Sequence, residues 1–453
     1  MRKLPLKHVA SRVFCTSILT IALLLSSASY ASQEGIASFL AFSDESYIIK
    51  DARIFDGSGV PAKEGRSIWI DKGRIKKIAS IDKLSLPDDI KVISAKGKTV
   101  IPGLIMMHEH LAYLSSPKSD IFDLHPNTIP TLLLASGITT ARTAGSDLPQ
   151  ADISVKDSIN AAKQPGPNLI ITGPYFNGQR QFSSDLLVSN TEEAKLLVKF
   201  LAAKGVEWLK VYSSLPPEVV KVVIEEAHKH DLRVAGHLGP ATSCAQAAEY
   251  GLDTLEHSID SCWVKRTPEE MTRLVNVLIK NDVTVVTNAP WRRDSPNDLE
   301  AIAMYSPQYL DDFKEPTINK QSSENIISPR NKAAMQFDRQ FYDAGGTLLM
   351  GADAIVYPQV PGFSNHNMMI ALGMRFTPAE VLQMATSDAA EYLGIEKERG
   401  LVKVGYIADL VLVDGSPDKE IKDIKNISLV IKDGRAYDPK KLLDSAKGRL
   451  GID

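Results

Sequence analysis

A rhythm in the middle of the chain limits its fold more than any other feature. Eight short apolar runs rich in β-branched residues recur at 101–108, 138–142, 168–173, 206–212, 232–237, 253–257, 283–288 and 347–352. Helical patterns lie between them. The clearest runs from Pro216 to Leu232, with Val219, Val222, Val223 and Ala227 on one stripe and Glu225, Glu226 and Lys229 on another. Strands that alternate with helices in this way call for an α/β fold with a parallel sheet. Eight of them over about 300 residues predict a (β/α)8 TIM-like barrel across 103–398, with a doubly wound sheet as the runner-up.

The two ends have a different texture. Residues 47–55 and 67–78 read as short strands punctuated by the turns Asp56-Gly57-Ser58-Gly59 and Asp71-Lys72-Gly73. Such turns between apolar runs argue antiparallel hairpins. The runs 408–413 and 427–432, each closed by Asp-Gly, repeat the pattern near the C-terminus. Residues 45–102 and 399–440 are therefore expected to build one small β-sandwich from both chain ends. Residues 290–330 break the central rhythm, with turn signals at Ser295-Pro296-Asn297-Asp298, Ser306-Pro307 and Ser328-Pro329. That polar insert after the seventh strand predicts a lid or substrate loop.

Residues 1–31 read as a secretory signal peptide. Arg2, Lys3, Lys7 and Arg12 form a positive start, Val13 to Leu25 is apolar, and Ser29 and Ala31 suit a cleavage site. The apolar run is short for a membrane span, so a stable membrane anchor is not expected. Loss of those four positive charges from a formal net of −3 leaves −7. The mature chain is then acidic and exported, periplasmic or extracellular. With 24% charged and 44% hydrophobic residues, and no basic block, it is a globular protein and not a nucleic-acid binder. The sequence leaves room for a homo-oligomer. Cys244 and Cys262 remain after cleavage. A single bridge between them is open, but two small buried thiols are the favoured reading. The absence of a C-x-x-C pair makes sulfur-bound zinc improbable.

Chemistry-bearing residues gather at the ends of the apolar runs. His108 and His110 close the first run. A strand repeats its side chains with period two, so both imidazoles share a face while Glu109 points away. Such a pair can grip one metal. Lys210 shares a face with Trp208 and Tyr212 in the fourth run. A buried ammonium is costly unless paired, neutralised or modified. Lys210 is thus either a lysine that snorkels to water or a carbamate able to bridge two cations. His237 and His257 end the fifth and sixth runs, and Asp353 follows the eighth. Barrel sites are built from the C-terminal tips of strands, which favours a shared site over four unrelated core histidines. Beside a metal, Asp353 could take a proton from bound water; elsewhere it would cap a helix.

In this order the set H-x-H, Lys210, His237, His257 and Asp353 resembles the amidohydrolase superfamily over roughly residues 45–440. The stretches IPGLIMMHEHL, GITTARTAGS, WLKVYSSL, VAGHLG, TLEHS and LLMGAD are similar to its imidazolonepropionase-related and Xaa-Pro dipeptidase-like branch. Met106 and Thr143 depart from that branch, which often has Asp at both places. The resemblance implies two divalent metal ions, with zinc the first choice. His108, His110 and Asp353 would hold one, His237 and His257 the other, and a CO2-derived carbamate on Lys210 would bridge them. It also implies attack by a metal-activated hydroxide on an amide C–N bond, in a dipeptide of the Xaa-Pro kind or an N-acyl amino acid. A cyclic-amide hydrolase or lactonase is the enzymatic alternative, and a metal-free binding protein on the same scaffold is the non-enzymatic one.

Four further residues are candidates. Tyr212 could donate to the oxyanion or simply pack. Arg142, at the end of the second run, could pair with a substrate carboxylate or sit in a structural ion pair. His125 and His366 fall in expected loops near the barrel top, either touching substrate or lying on the surface.

Overall fold

The computed structural model describes residues 35–452 except 117, 118, 120, 182–184, 263, 264, 289–297 and 313–328. Residues 1–31, expected to be a signal peptide, and much of the 290–330 insert lie outside the described residues. Within the insert, Leu299–Ile302 and Pro307–Asp312 are short helices. No helix among the described residues is long and apolar enough to cross a membrane.

The barrel strands are Leu104–Glu109, Ile138–Thr143, Asn168–Ile170 continuing as Thr172–Asn177, Trp208–Val211, Arg233–Gly236, Thr254–Glu256, Thr284–Thr287 and Leu348–Met350. Each falls on one of the eight apolar runs. All pair in parallel. The third to eighth form one ladder through Tyr175↔Lys210, Lys210↔Ala235, Ala235↔Thr254, Leu255↔Val285 and Val286↔Leu349, and the first three pair through Met106↔Ala141↔Leu169. The ring closes where the Asp353 N–H donates to the His108 carbonyl at 3.0 Å. Closure needs a residue without a side chain: a Cβ on Gly351 would meet the His108 amide nitrogen at 2.3 Å.

Alternation explains why the strands read as unbroken apolar runs. Ile105, Met107, Trp208, Ala235, Val286 and Leu349 fill the barrel interior. Their neighbours Leu104, Met106, Leu209, Val285 and Leu348 face the outer helices. The helix expected over 216–232 spans Pro217–His228 and buries Val219, Val220, Val223, Ile224 and Ala227. It ends early because Asp231 adopts φ 56° and Leu232 donates back to the Ala227 carbonyl at 3.0 Å.

Both chain ends meet in one eight-stranded sheet. Lys98–Pro102 joins them. It runs parallel to Ser46–Ile54 and antiparallel to Leu410–Asp414, and Gly103 then leads directly into the first barrel strand. The Ile75 N–H donates to the Tyr406 carbonyl at 2.9 Å, so the sheet curls over a core of Tyr47, Ile49, Ile68, Leu410, Leu412 and Ile431. The two faces expected of a sandwich are thus one hydrogen-bonded sheet folded on itself.

The cysteines correct the favoured reading. Cys244 and Cys262 form a disulfide, 18 residues apart, rather than two thiols. The bridge ties the helix that follows His237 to the turn that follows His257. Closing a loop of this length restricts the unfolded chain by about 3 kcal/mol. The double variant Cys244→Ser/Cys262→Ser is expected to lose about 2–4 kcal/mol in denaturant unfolding. An unchanged unfolding midpoint would mean that the bridge does not restrain the fold.

Candidate active site

The C-terminal tips of the strands open into a cavity of about 500 Å³, lined by His108, His110, Lys210, His237, His257 and Asp353 among others. The backbone turns sharply there. His257, Ser258 and Asp353 have φ of 61°, 55° and 53°, a left-handed conformation that non-glycine residues adopt at a cost and that concentrates at working sites. At His257 the turn also breaks strand alternation, so Glu256 and His257 both serve the same site.

His108, His110 and Asp353 present donor atoms that all lie within 4.8 Å of one another. The Asp353 carboxylate lies 3.6 Å from Nε2 of His108 and 3.2 Å from Nε2 of His110, and its other oxygen lies 3.7 Å from Nδ1 of His257. The rings of His237 and His257 meet edge to face with centroids 4.4 Å apart, and His257 lies 4.6 Å from His108. Lys210 is 1% exposed, which removes the snorkelling reading.

A divalent metal fits this donor set on two counts. The second ring nitrogen of each paired histidine is held from behind: Nδ1 of His108 lies 2.5 Å from Glu256, and Nδ1 of His110 lies 3.2 Å from the Gly145 carbonyl. Both Nε2 atoms are thereby turned toward Asp353, the arrangement that metal-ligating imidazoles adopt. His237 and His257 are also neutral. Burial, then the Lys210 charge, pushes His237 down to about 3. Burial, then His237 and His108, puts His257 well below its usual range. Neutral rings offer lone pairs.

Burial alone would raise Asp353. The His108 charge and hydrogen bonds from His108 and His110 outweigh it and hold the carboxyl well below the usual carboxylate range. Burial also pushes Lys210 down to about 8, with Glu256 pulling the other way. An amine near that value supplies the neutral form that reacts with CO2. Tyr212 is 9% exposed, lines the cavity, and packs 4.4 Å from the His237 ring. Its phenol is pushed up by burial and stays a donor.

The other candidates lie elsewhere. Arg142 is fully buried in a structural ion pair. Nη2 reaches both oxygens of Glu256 at 2.8 and 2.9 Å, Nε reaches the Met107 carbonyl at 2.7 Å, and the guanidinium lies over the Trp208 ring. It cannot also receive a substrate carboxylate. His125 is buried against Tyr113 and does not line the cavity. His366 is in the helix Phe363–Leu372, not a loop, and its Nε2 lies 2.9 Å from the Ser136 carbonyl. Neither is a surface histidine.

Sequence reasoning passed over three residues that hold the site from behind. Glu256 orients His108 and takes Arg142. Asn288 places its amide nitrogen 2.7 Å from Nδ1 of His257 and 3.5 Å from Asp353. Asp338 is fully buried and accepts the Ser258 hydroxyl on one oxygen and Thr287, at 2.6 Å, on the other. It thereby ties together the tips of the sixth and seventh strands, next to His257 and Asn288. Only Glu256, beside His257 in TLEHS, carried a signal in the sequence.

With this geometry in hand, comparison with known proteins decides the family. The amidohydrolase family profile matches residues 99–305 and 320–437. The chain belongs to the amidohydrolase family. It is a hydrolase acting on carbon–nitrogen bonds. An imidazolonepropionase of Geobacillus kaustophilus (strain HTA426) is 24% identical over 416 residues, covering 83% of this chain and 92% of that protein. Among solved structures, a Xaa-Pro dipeptidase with methionine bound in its active site has a TM-score of 0.68 at 21% identity, covering 87% of this chain and all of that one. A molinate hydrolase has a TM-score of 0.66 at 17% identity, covering 88% of this chain and 96% of that one. At these identities the structural likenesses establish the barrel fold of this amidohydrolase.

Proposed function

We propose that this amidohydrolase is an exported, dinuclear metal enzyme that cleaves the amide bond of an N-acyl amino acid or a dipeptide of the Xaa-Pro kind. The observation that carries the reading is the convergence of His108, His110, Lys210, His237, His257 and Asp353 on one cavity, with two imidazoles braced from behind. The Xaa-Pro dipeptidase likeness supports the substrate class, and the composition of residues 1–31 together with the Cys244–Cys262 bridge supports export. A second reading, a cyclic-amide hydrolase, is favoured by the imidazolonepropionase relatives.

His108, His110 and Asp353 would hold one ion and His237 and His257 the other, with a carbamate on Lys210 between them. Bound there, divalent metal supplies a Lewis acid and an acidified water. Asp353, kept ionised by its imidazole neighbours, accepts the proton released as water attacks and returns it to the leaving nitrogen. The Tyr212 hydroxyl donates to the oxygen on which negative charge grows.

Elemental analysis of purified protein is expected to give about two zinc equivalents. A chelator should abolish turnover of N-acyl amino acids and Xaa-Pro dipeptides, and zinc should restore it. Lys210→Ala should lose metal and become insensitive to bicarbonate during reconstitution. Full activity in a metal-free sample, or Lys210→Ala that keeps both equivalents, would overturn the reading.

A further inference from the structure

The cavity is divided by chemistry around the barrel ring. A short hairpin follows the first strand, Ala112–Leu114 pairing with Phe122–Leu124, and it brings Leu114, Phe122 and Leu124 to the wall. The loop after the eighth strand brings Ile355 and Val356, and Leu111 stands next to His110. The two loops are joined, since the Leu114 N–H donates to the Ile355 carbonyl at 2.9 Å. First and eighth strands are neighbours in the closed ring, so these six residues form one continuous arc beside His108, His110 and Asp353. Around the rest of the rim the lining is largely polar: Ser146 and Asp147 after the second strand, Gln181 after the third, Asp260 after the sixth, and Asn288 and Arg330 after the seventh.

The arc is not packed shut. Leu111 is buried, but Leu114, Phe122, Leu124, Ile355 and Val356 keep part of their surface open. Open apolar surface in a concave site is what an apolar ligand covers. It also begins within three residues of the proposed metal ligands on both chain segments, so whatever covers it lies against the reacting bond.

On the reading that the enzyme cleaves an amide, we infer that the apolar arc receives the acyl side of the substrate, as a chain of six or more carbons or an aryl group, while the amino-acid side lies toward the polar lining. The scissile carbonyl then sits between His108 and Lys210, with the two halves of the substrate sorted by the wall each one meets. A small acyl group such as acetyl would leave the arc wet.

The test uses two series on the zinc-loaded full chain. In the first, kcat/KM is measured for N-acetyl-, N-butanoyl-, N-hexanoyl- and N-octanoyl-glycine. A methylene moved from water into an apolar pocket gives at most about fourfold, so at least a tenfold rise from acetyl to hexanoyl is expected. In the second, binding of acetohydroxamate and octanohydroxamate is measured by calorimetry, without turnover, and at least tenfold tighter binding of the longer chain is expected. Leu124→Asn, with Phe122→Ala as a second variant, should flatten both series, losing more on octanoyl than on acetyl compounds. A flat series with measurable turnover overturns the apolar acyl subsite and leaves amide hydrolysis standing. A length-dependent hydroxamate affinity with every N-acylglycine inert overturns the N-acyl reading and keeps the subsite. Equal affinities with no turnover overturn both.

Discussion

Asp353→Asn is expected to lower kcat about 10³-fold at saturating zinc while the fold and the metal remain. The side chain keeps its shape, so the 3.2 and 3.6 Å approaches to His110 and His108 survive on the carbonyl oxygen. What the amide cannot do is accept a proton. General acid–base assistance contributes about 10²–10⁴, and a factor of 10³ corresponds to about 4 kcal/mol of barrier. The position of Asp353 also argues for this role. It sits on a left-handed residue just past the eighth strand and its backbone N–H closes the ring on His108, so the carboxylate has little freedom to retreat. Kinetics paired with metal analysis on the same sample separate the cases. Near-normal turnover would remove Asp353 as the proton acceptor, whereas lost metal would show a ligand role alone.

The barrel was legible because parallel strands buried on both faces read as nearly continuous runs of apolar or β-branched residues. Thr284-Val285-Val286-Thr287, with all four residues buried, is such a strand. Period two put His108 and His110 on one face, and the structure keeps them there, with Glu109 turned away to the Ala352 N–H and the Asn365 amide. The same rule failed at Glu256. The left-handed turn at His257 cancels alternation, and no local pattern announces such a turn without glycine. Arg142 was ambiguous for a different reason. A cation at a strand tip can face substrate or a buried acid, and the acid lies 114 residues away in sequence. Asp338 and Asn288 act across strands, where sequence spacing carries no signal. The cysteine pair was underread because compartment sets whether thiols oxidise, while spacing says only that they could meet.

Arg142→Ala is expected to cost about 3–5 kcal/mol of stability, seen as a fall of roughly 5 °C in the melting midpoint for a chain of this size. Glu256 has no exposed surface. Burial would raise its carboxyl, and Arg142, Lys210 and His108 together hold it well below the usual range. Without the guanidinium the largest of these opposing influences is gone, and a carboxylate is left buried with too little compensation. The damage should also reach the site, because the same carboxylate lies 2.5 Å from Nδ1 of His108 and fixes that ring. Loss of such a brace typically weakens metal binding 10–100-fold. The double variant Arg142→Met/Glu256→Gln separates the two effects. Neither charge remains buried, so much of the stability should return. The glutamine oxygen still accepts from His108, but as a neutral group it makes the imidazole a poorer ligand, so the metal deficit should persist. If stability and metal affinity recovered together, Glu256 would serve only as the partner of Arg142. If neither recovered, the guanidinium itself would be needed, through its hold on the Met107 carbonyl one residue before His108.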